Sequence, residues 1–162
     1  PLYSSAASDV YKRQRIIGVT EALAAQDIYE LGERIEPFIL AEGTRMGHIH
    51  LSVKDSRKYS QFYQNVLGLE DKFSVPSASW IAAGDYHHHL AVNEWGGKDL
   101  ASRKQGLPGL AYYVIEVASK EELLTIAQRT QEVDAPIKWL TSSQLEITDP
   151  DGIVTRIRLD RI

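Results

Sequence analysis

Two histidine-rich stretches contain the residues with the clearest capacity for chemistry. Residues 47–53 (GHIHLSV) alternate polar and aliphatic side chains, which predicts a β-strand with His48 and His50 on one face. Residues 86–92 (YHHHLAV) predict a second strand with three adjacent histidines. If the two strands are neighbours in one sheet, their imidazoles face a common pocket, where they could bind a metal ion or transfer a proton.

Composition narrows the function classes. The chain has 162 residues, of which 43% are hydrophobic, and this suits one globular domain with a real core. The net charge of -4 and the lack of a basic cluster argue against a nucleic-acid partner. No apolar run approaches the roughly 20 residues of a membrane-spanning helix. The chain has no cysteine, so a metal must be bound by histidine and carboxylate, and we expect a cytoplasmic location.

The predicted elements repeat. Superimposing the two halves of residues 46–159 places His48 over Tyr112, Val53 over Val117 and Asp55 over Ser119, which indicates two copies of one βαβββ unit. The first unit, residues 46–95, predicts a strand at 47–53, a helix at 56–67 and strands at 70–75, 79–83 and 86–95. The second, residues 109–159, predicts a strand at 110–117, a helix from 120 to about 133 and strands at 137–141, 144–148 and 153–159.

The start of the chain differs in character from the rest. One back-translation of residues 4–14 (SSAASDVYKRQ) matches a transposon-end adapter used in sequencing libraries, so we interpret residues 1–14 as an adapter artefact and expect disorder there. Residues 15–45 are expected to form a connector from a missing N-terminal domain, with a helix at 21–31. A connector of this length is unusual ahead of the first strand of a complete domain. Residues 46–160 are expected to form the domain that follows it.

The duplicated unit, with its GHIHLSV, FYQNVLGL, YHHHLAVNEW and DPDG segments, resembles the vicinal oxygen chelate superfamily. Its members include glyoxalase I, bleomycin-resistance proteins and extradiol ring-cleaving dioxygenases. The two histidine-rich strands are most similar to the C-terminal half of two-domain, catechol-2,3-dioxygenase-like bacterial proteins. The resemblance implies an α+β fold, in which two βαβββ units form a curved mixed sheet with the helices outside, around a metal and substrate cavity.

The resemblance also implies roles for single residues. His48 matches the first metal-binding histidine, and His88 matches the histidine that serves extradiol dioxygenases as acid–base catalyst. Tyr112 stands where the family has its second metal-binding histidine, and Arg156 stands where it has the metal-binding glutamate. Two of the three family ligands are therefore absent from the second unit.

Other residues are expected around this site. We expect five in the second shell of the metal or in the cavity wall: His50, His87, Tyr112, Tyr113 and Arg156. Phe73, Trp80 and Trp95 are predicted to pack in the core. The Asp149-Pro150-Asp151-Gly152 segment is predicted to be a solvent-facing turn without a binding role.

These residues imply the C-terminal half of an extradiol-type dioxygenase that acts on a catechol or hydroquinone-like ring. The resemblance implies Fe(II) or Mn(II) as cofactor of the full-length protein, and a small aromatic molecule and O₂ as substrates. The fragment alone is expected to be inactive, and whether it binds a metal stays open. The missing N-terminal domain would supply the other histidine and the glutamate. An unpaired half could also form a homodimer that covers its sheet edge.

Two other functions stay open. The first is a metal-free module that binds and sequesters a small molecule, which Tyr112 and Arg156 favour for the isolated fragment. The second is glyoxalase-like lyase chemistry, which needs the same incomplete histidine and glutamate ligands.

Overall fold

The computed structural model of the chain describes residues 3–5, 20–32, 37, 39–97, 99–102, 104, 106 and 108–160. Within these ranges, none of the helices has the length and apolar character that crossing a membrane requires. The α+β fold class is confirmed, with two four-stranded mixed sheets.

Short elements precede the two repeated units. The strands β1 (Tyr3–Ser5) and β2 (Thr20–Ala22) pair antiparallel, and the helix α1 (Ala25–Leu31) follows. Tyr3–Ser5 lies within the segment expected to be disordered. In the structure these three residues form a strand that pairs with β2. The adapter origin of residues 1–14 stays a prediction, and the rest of that segment lies outside the described residues. The helix expected at 21–31 is present but begins later, after β2.

The first unit has the predicted order of one strand, one helix and three strands. The elements are β3 (Ile49–Ser52), α2 (Ser56–Leu67), β4 (Glu70–Val75), β5 (Ala78–Ala82) and β6 (Leu90–Asn93). Its sheet has the order β3-β6-β5-β4, with β3 and β6 parallel and the other pairs antiparallel.

The second unit repeats this architecture. Its elements are β7 (Tyr113–Val117), α3 (Lys120–Glu132), β8 (Ile137–Thr141), β9 (Gln144–Thr148) and β10 (Val154–Leu159). The order β7-β10-β9-β8, with β7 and β10 parallel, is the order of the first sheet. The expected curved sheet is thus divided into two separately hydrogen-bonded sheets in the described part of the chain.

Capping residues fix where the two long helices begin and end. The Asp55 side chain accepts a hydrogen bond from the backbone N–H of Lys58, and Gly68 ends α2 in the left-handed conformation with φ 72°. Ser119 and Glu122 form a capping box at the start of α3. The buried stripe of α3 contains Ile126 rather than Leu124, which is half exposed.

The hydrophobic core is shared between the two units. Tyr113 of the second unit packs among Leu51, Tyr63 and Val92 of the first. Val66 of the first unit packs in the other cluster, whose remaining members belong to the second unit. The helices α2 and α3 therefore bury their apolar stripes in a joint core, and neither sheet is covered by its own unit alone.

The segment at residues 149–152 corrects a prediction, because it is not a solvent-facing turn. Asp149 is only 4% exposed, and its carboxylate accepts hydrogen bonds from the Tyr63 hydroxyl (2.8 Å) and from the backbone N–H groups of Asp151 and Ile153. Lys54 lies 3.6 Å from the Asp151 carboxylate. A buried carboxylate needs such donors to offset its desolvation, so this turn ties the second unit to the first.

Candidate metal centre

Three imidazoles lie together at one end of the first sheet. The ring centroids of His48 and His88 are 4.3 Å apart, those of His87 and His88 are 4.4 Å apart, and those of His48 and His87 are 6.3 Å apart. One nitrogen of each ring lies within 4.8 Å of those of the other two. We call His48, His87 and His88 the histidine cluster.

Parallel strand pairing produces this cluster. Ile49 is opposite Leu90 in the ladder between β3 and β6, and the Ile49 N–H donates to the His89 carbonyl at 3.0 Å. Both strands therefore begin at the same edge, and the histidines that precede them meet there. The strand predicted at 86–95 begins only at Leu90, so the three adjacent histidines lie in the segment that leads into β6.

Burial controls the electrostatics of the cluster. His88 is 6% exposed, and its Nε2 atom has no hydrogen-bond partner among the described residues. Burial, and then the neighbouring histidines, lower the pKa of His88 to about 4. Burial and the adjacent His87 also lower the pKa of His48. His48 and His88 are therefore neutral at pH 7, which is the form that binds metal ions.

The residues of the cluster fit a divalent metal ion. Imidazole nitrogen is a good ligand for Fe, Zn, Cu and Ni ions, and the unpartnered buried Nε2 of His88 is otherwise costly. Within the described ranges, the group of potential ligands that lie this close together consists of imidazoles alone, without a carboxylate. It therefore differs from the site of two histidines and one carboxylate that the resemblance implies.

His50 lies on a separate, aromatic part of the same sheet. Its ring centroid is 5.0 Å from that of Trp95 and 6.3 Å from that of Trp80, which lies 5.3 Å from Phe73. His50 and Trp80 both pair with Ala91, whose small side chain is fully buried. Trp95 is 63% exposed, so its predicted place in the core is wrong. We call His50, Phe73, Trp80 and Trp95 the aromatic face.

Tyr112 and Arg156, which the resemblance places at two ligand positions of the family, contact each other. The Arg156 guanidinium carbon lies 3.5 Å from the centroid of the Tyr112 ring, and the Arg156 Nε donates to the Glu146 carboxylate at 2.7 Å. Arg156 is opposite Glu146 in the ladder between β9 and β10. The second unit therefore has a cation–π contact and an ion pair where the resemblance implies two metal ligands.

Tyr113 is both a core residue and part of a cavity wall. It is 5% exposed, and it lines a cavity of about 290 Å³ together with His48, Ile49, Ile115 and Glu116. The cavity lies between β3 and β7, the first strands of the two units. Its volume is at the lower end of the range for small-molecule sites.

Sequence reasoning missed Glu146 and Asp149. Glu146 stands between Leu145 and Ile147, both buried, so strand alternation places it on the same open face as Arg156 and could have indicated the ion pair. Asp149 had no comparable signal, because its partner Tyr63 is distant in sequence.

Comparison with known proteins agrees with this architecture. The model of the Glyoxalase/Bleomycin resistance protein/Dioxygenase superfamily matches residues 45–157. A catechol-2,3-dioxygenase of Bacillus subtilis (strain 168) is 29% identical over 154 residues, which cover 92% of this chain and 54% of that protein. A biphenyl-2,3-diol 1,2-dioxygenase 3 of Rhodococcus globerulus is 23% identical over 120 residues, which cover 72% of this chain and 63% of that protein. The chain thus spans between about half and two thirds of the length of these relatives.

Solved structures have the same fold at low sequence identity. A glyoxalase/dioxygenase from Nostoc punctiforme has a TM-score of 0.59 at 19% identity, covering 77% of this chain and 98% of that one. The fosfomycin resistance protein FosX from Listeria monocytogenes, complexed with Mn(II) and sulfate, has a TM-score of 0.54 at 16% identity, covering 76% of this chain and 94% of that one. With the family model matching most of its length, the chain belongs to the glyoxalase/bleomycin resistance protein/dioxygenase superfamily, also called the vicinal oxygen chelate superfamily.

Proposed function

We propose that the chain is the C-terminal half of an extradiol-type ring-cleaving dioxygenase that acts on a catechol or hydroquinone-like ring. The observation that carries the proposal is the 4.3 Å distance between the ring centroids of His48 and His88, with the buried His88 Nε2 left without a hydrogen-bond partner among the described residues. The relatives named for catechol and biphenyl-2,3-diol dioxygenase activity support this reaction class.

In this proposal the two imidazoles have different roles. His48, exposed beside the cavity, would bind Fe(II) or Mn(II), and the bound metal would supply open positions for the diol and O₂. His88, neutral and buried next to it, would accept the second phenolic proton and later return one. The burial of His88 keeps water away from the nitrogen that handles this proton.

The remaining ligands would come from another part of a longer protein. Arg156 is paired with Glu146 and contacts Tyr112, so the second unit offers a cation where a carboxylate ligand is needed. We propose that an N-terminal half, comparable to the additional length of the relatives, contributes the second histidine and the glutamate. The fragment alone would then be inactive as a dioxygenase.

The aromatic face supports a small aromatic substrate. His50, Trp80 and Trp95 project their rings on the open side of the first sheet, and such rings stack well on a planar phenol. We further propose that the protein acts in the bacterial cytoplasm, since cytoplasmic proteins need no disulfides and the chain has no cysteine.

The test uses protein extended upstream to the length of the relatives and purified without air. We expect one iron or manganese ion per chain and O₂ uptake on addition of catechol, with formation of a yellow ring-opened product. His48→Ala should lose the metal, whereas His88→Gln should keep the metal and lose turnover. An upstream half that lacks a histidine and a glutamate for the metal would refute the proposal.

One observation favours a second function, a metal-free module that binds a small aromatic molecule. In the second unit, Arg156 pairs with Glu146 at a position where the resemblance implies a metal ligand. The aromatic face of the first unit is still partly exposed and could bind a ring. In that case the extended protein would bind catechol-like rings without a metal and without taking up O₂. Quenching of tryptophan fluorescence by the added ring compound would measure this binding. Glyoxalase-like chemistry has no comparable support, because it needs the same incomplete ligands.

A further inference from the structure

We propose that the first unit binds one divalent transition-metal ion through His48, His87 and His88, without any ligand from the second unit. This goes beyond the proposed function, which takes only His48 as a ligand from this chain and keeps His88 free to move a proton. His87 is the added residue, and with it three imidazoles of a single unit complete one face of a coordination sphere.

The distances in the cluster support a shared ion. One nitrogen from each ring lies within 4.8 Å of the other two. Two nitrogens bound to one tetrahedral ion at about 2.1 Å are about 3.4 Å apart, so rotations of the rings that bring the nitrogens closer together would complete the site. Because His48 is exposed and His87 only half-buried, both rings have room for such a rotation.

The buried Nε2 atom of His88 favours a bound metal ion in the cluster. Its Nε2 has lost water and has no protein partner in the described part of the chain, and a bound metal ion would satisfy it. The other two rings lie at 56° and 89° to the His88 ring, so the three are not stacked flat and their nitrogens can converge.

The donor set determines the class of ion. Three imidazole nitrogens suit Zn²⁺, Co²⁺, Ni²⁺, Cu²⁺ and Fe²⁺, whereas Mg²⁺ and Ca²⁺ prefer oxygen ligands. Three protein ligands leave a fourth position open to water, as in open zinc sites. In this state His88 is a ligand and does not transfer a proton, so the three-histidine state is distinct from the catalytic state of the proposed function.

The test measures metal binding by the 162-residue chain, free of any polyhistidine tag. Zn²⁺ and Mg²⁺ are titrated by calorimetry, and the side-chain signals of ¹⁵N-labelled histidine are followed by NMR. We expect one Zn²⁺ per chain, no binding of Mg²⁺, and shifted signals of His48, His87 and His88. His48→Ala and His87→Ala should each weaken Zn²⁺ binding at least tenfold. Loss of a residue that only hydrogen-bonds to a ligand already costs about tenfold or more, so loss of a ligand should cost no less.

The matched control is His89→Ala. His89 is adjacent in sequence, but its Nδ1 already accepts a hydrogen bond from the Ala83 N–H, so this variant should bind Zn²⁺ as the parent does. Circular dichroism confirms that each variant is folded, and His48 and His87 are exposed enough for alanine to be tolerated. Unchanged Zn²⁺ affinity in His87→Ala, or equal loss in His89→Ala, would overturn the three-histidine site.

The two proposals fail separately. If His87→Ala binds Zn²⁺ normally while the extended protein oxidises catechol, only the three-histidine site is wrong. If the chain binds Zn²⁺ through the three histidines while the extended protein lacks O₂ uptake, only the dioxygenase proposal is wrong.

Discussion

The guanidinium of Arg156, in β10, lies 3.5 Å from the centre of the ring of Tyr112, the residue that directly precedes β7. Arg156 also forms an ion pair with Glu146. Tyr112, Arg156 and Glu146 are thus held together by one cation–π contact and one ion pair. The contacts of Tyr112 and Arg156 are thus structural, and the histidine cluster of the proposed function lies in the first unit.

The Arg156 contact predicts a measurable effect on stability. Tyr112→Ala should lower the free energy of unfolding by about 0.5–1 kcal/mol, because it removes the ring under a partly exposed cation. Tyr112→Phe keeps the ring and should leave stability nearly unchanged. Urea denaturation of the three proteins measures the difference. Equal loss in both variants would show that the hydroxyl, not the ring, is what Arg156 needs.

The buried contact between Tyr63 and Asp149 predicts a larger effect. Tyr63→Phe should lower the free energy of unfolding by about 1–3 kcal/mol, because a buried carboxylate loses a hydrogen-bond donor. The exposed Tyr29 offers a matched control, since Tyr29→Phe removes a hydroxyl from a ring that is 76% exposed. Chemical denaturation gives both values. A Tyr63→Phe variant as stable as the parent would refute the importance of this contact.

The same carboxylate predicts a pH dependence. Burial raises the pKa of Asp149 above its usual value of 3.8, against the opposing effect of its hydrogen bonds from Ile153 and Tyr63. The pKa of Asp149 is therefore higher in the folded state than in the unfolded state, so folding favours the protonated carboxyl group. The stability that this protonation contributes is complete below pH 3.8 and is lost as the pH rises through the pKa of the folded state.

Asp149→Asn removes this titration. The free energy of unfolding of the parent minus that of Asp149→Asn should therefore fall as the pH is raised from 3 toward neutrality, over about the interval in which a carboxyl group titrates. Taking the difference cancels the titration of all other groups. A difference that rises with pH would mean that the hydrogen bonds outweigh burial and that the folded pKa is lowered.

The aromatic face predicts an effect on substrate binding in the extended protein, and this prediction rests on the proposed function. Trp95→Ala should raise the KM for catechol about 2- to 13-fold, which corresponds to the roughly 0.5–1.5 kcal/mol of an aromatic pair. Trp139, which is 42% exposed on the second sheet, is the control, and Trp139→Ala should leave the KM unchanged. Steady-state O₂ uptake gives both constants. Equal KM values for the two variants would exclude the aromatic face from substrate binding.

Local patterns predicted most of the fold because the signals that fix it are short-range. The ends of α2 follow from Asp55 and Gly68, and the start of α3 follows from Ser119 with Glu122. The alternation of residues 47–53 correctly predicted Leu51 and Val53 on the buried face. The superposition of His48 on Tyr112 correctly anticipated two units of equal topology.

Features that depend on packing between distant residues were not predictable in the same way. The exposure of Trp95 depends on where β6 ends and on what lies opposite, and neither is encoded in the residues beside it. The convergence of His87 with His48 depends on the register of two parallel strands, which sequence alternation alone leaves open. The sequence shows that Trp80 lies near other aromatic residues along the chain. It does not show on which face of the sheet the Trp80 ring lies.

Tyr113 and Val66 each lie in a buried cluster whose other buried members belong to the opposite unit. Separating the two units would therefore remove one buried side chain from each cluster and expose apolar surface on both units. The two repeats depend on each other for a complete core, and we expect neither of them to be stable alone.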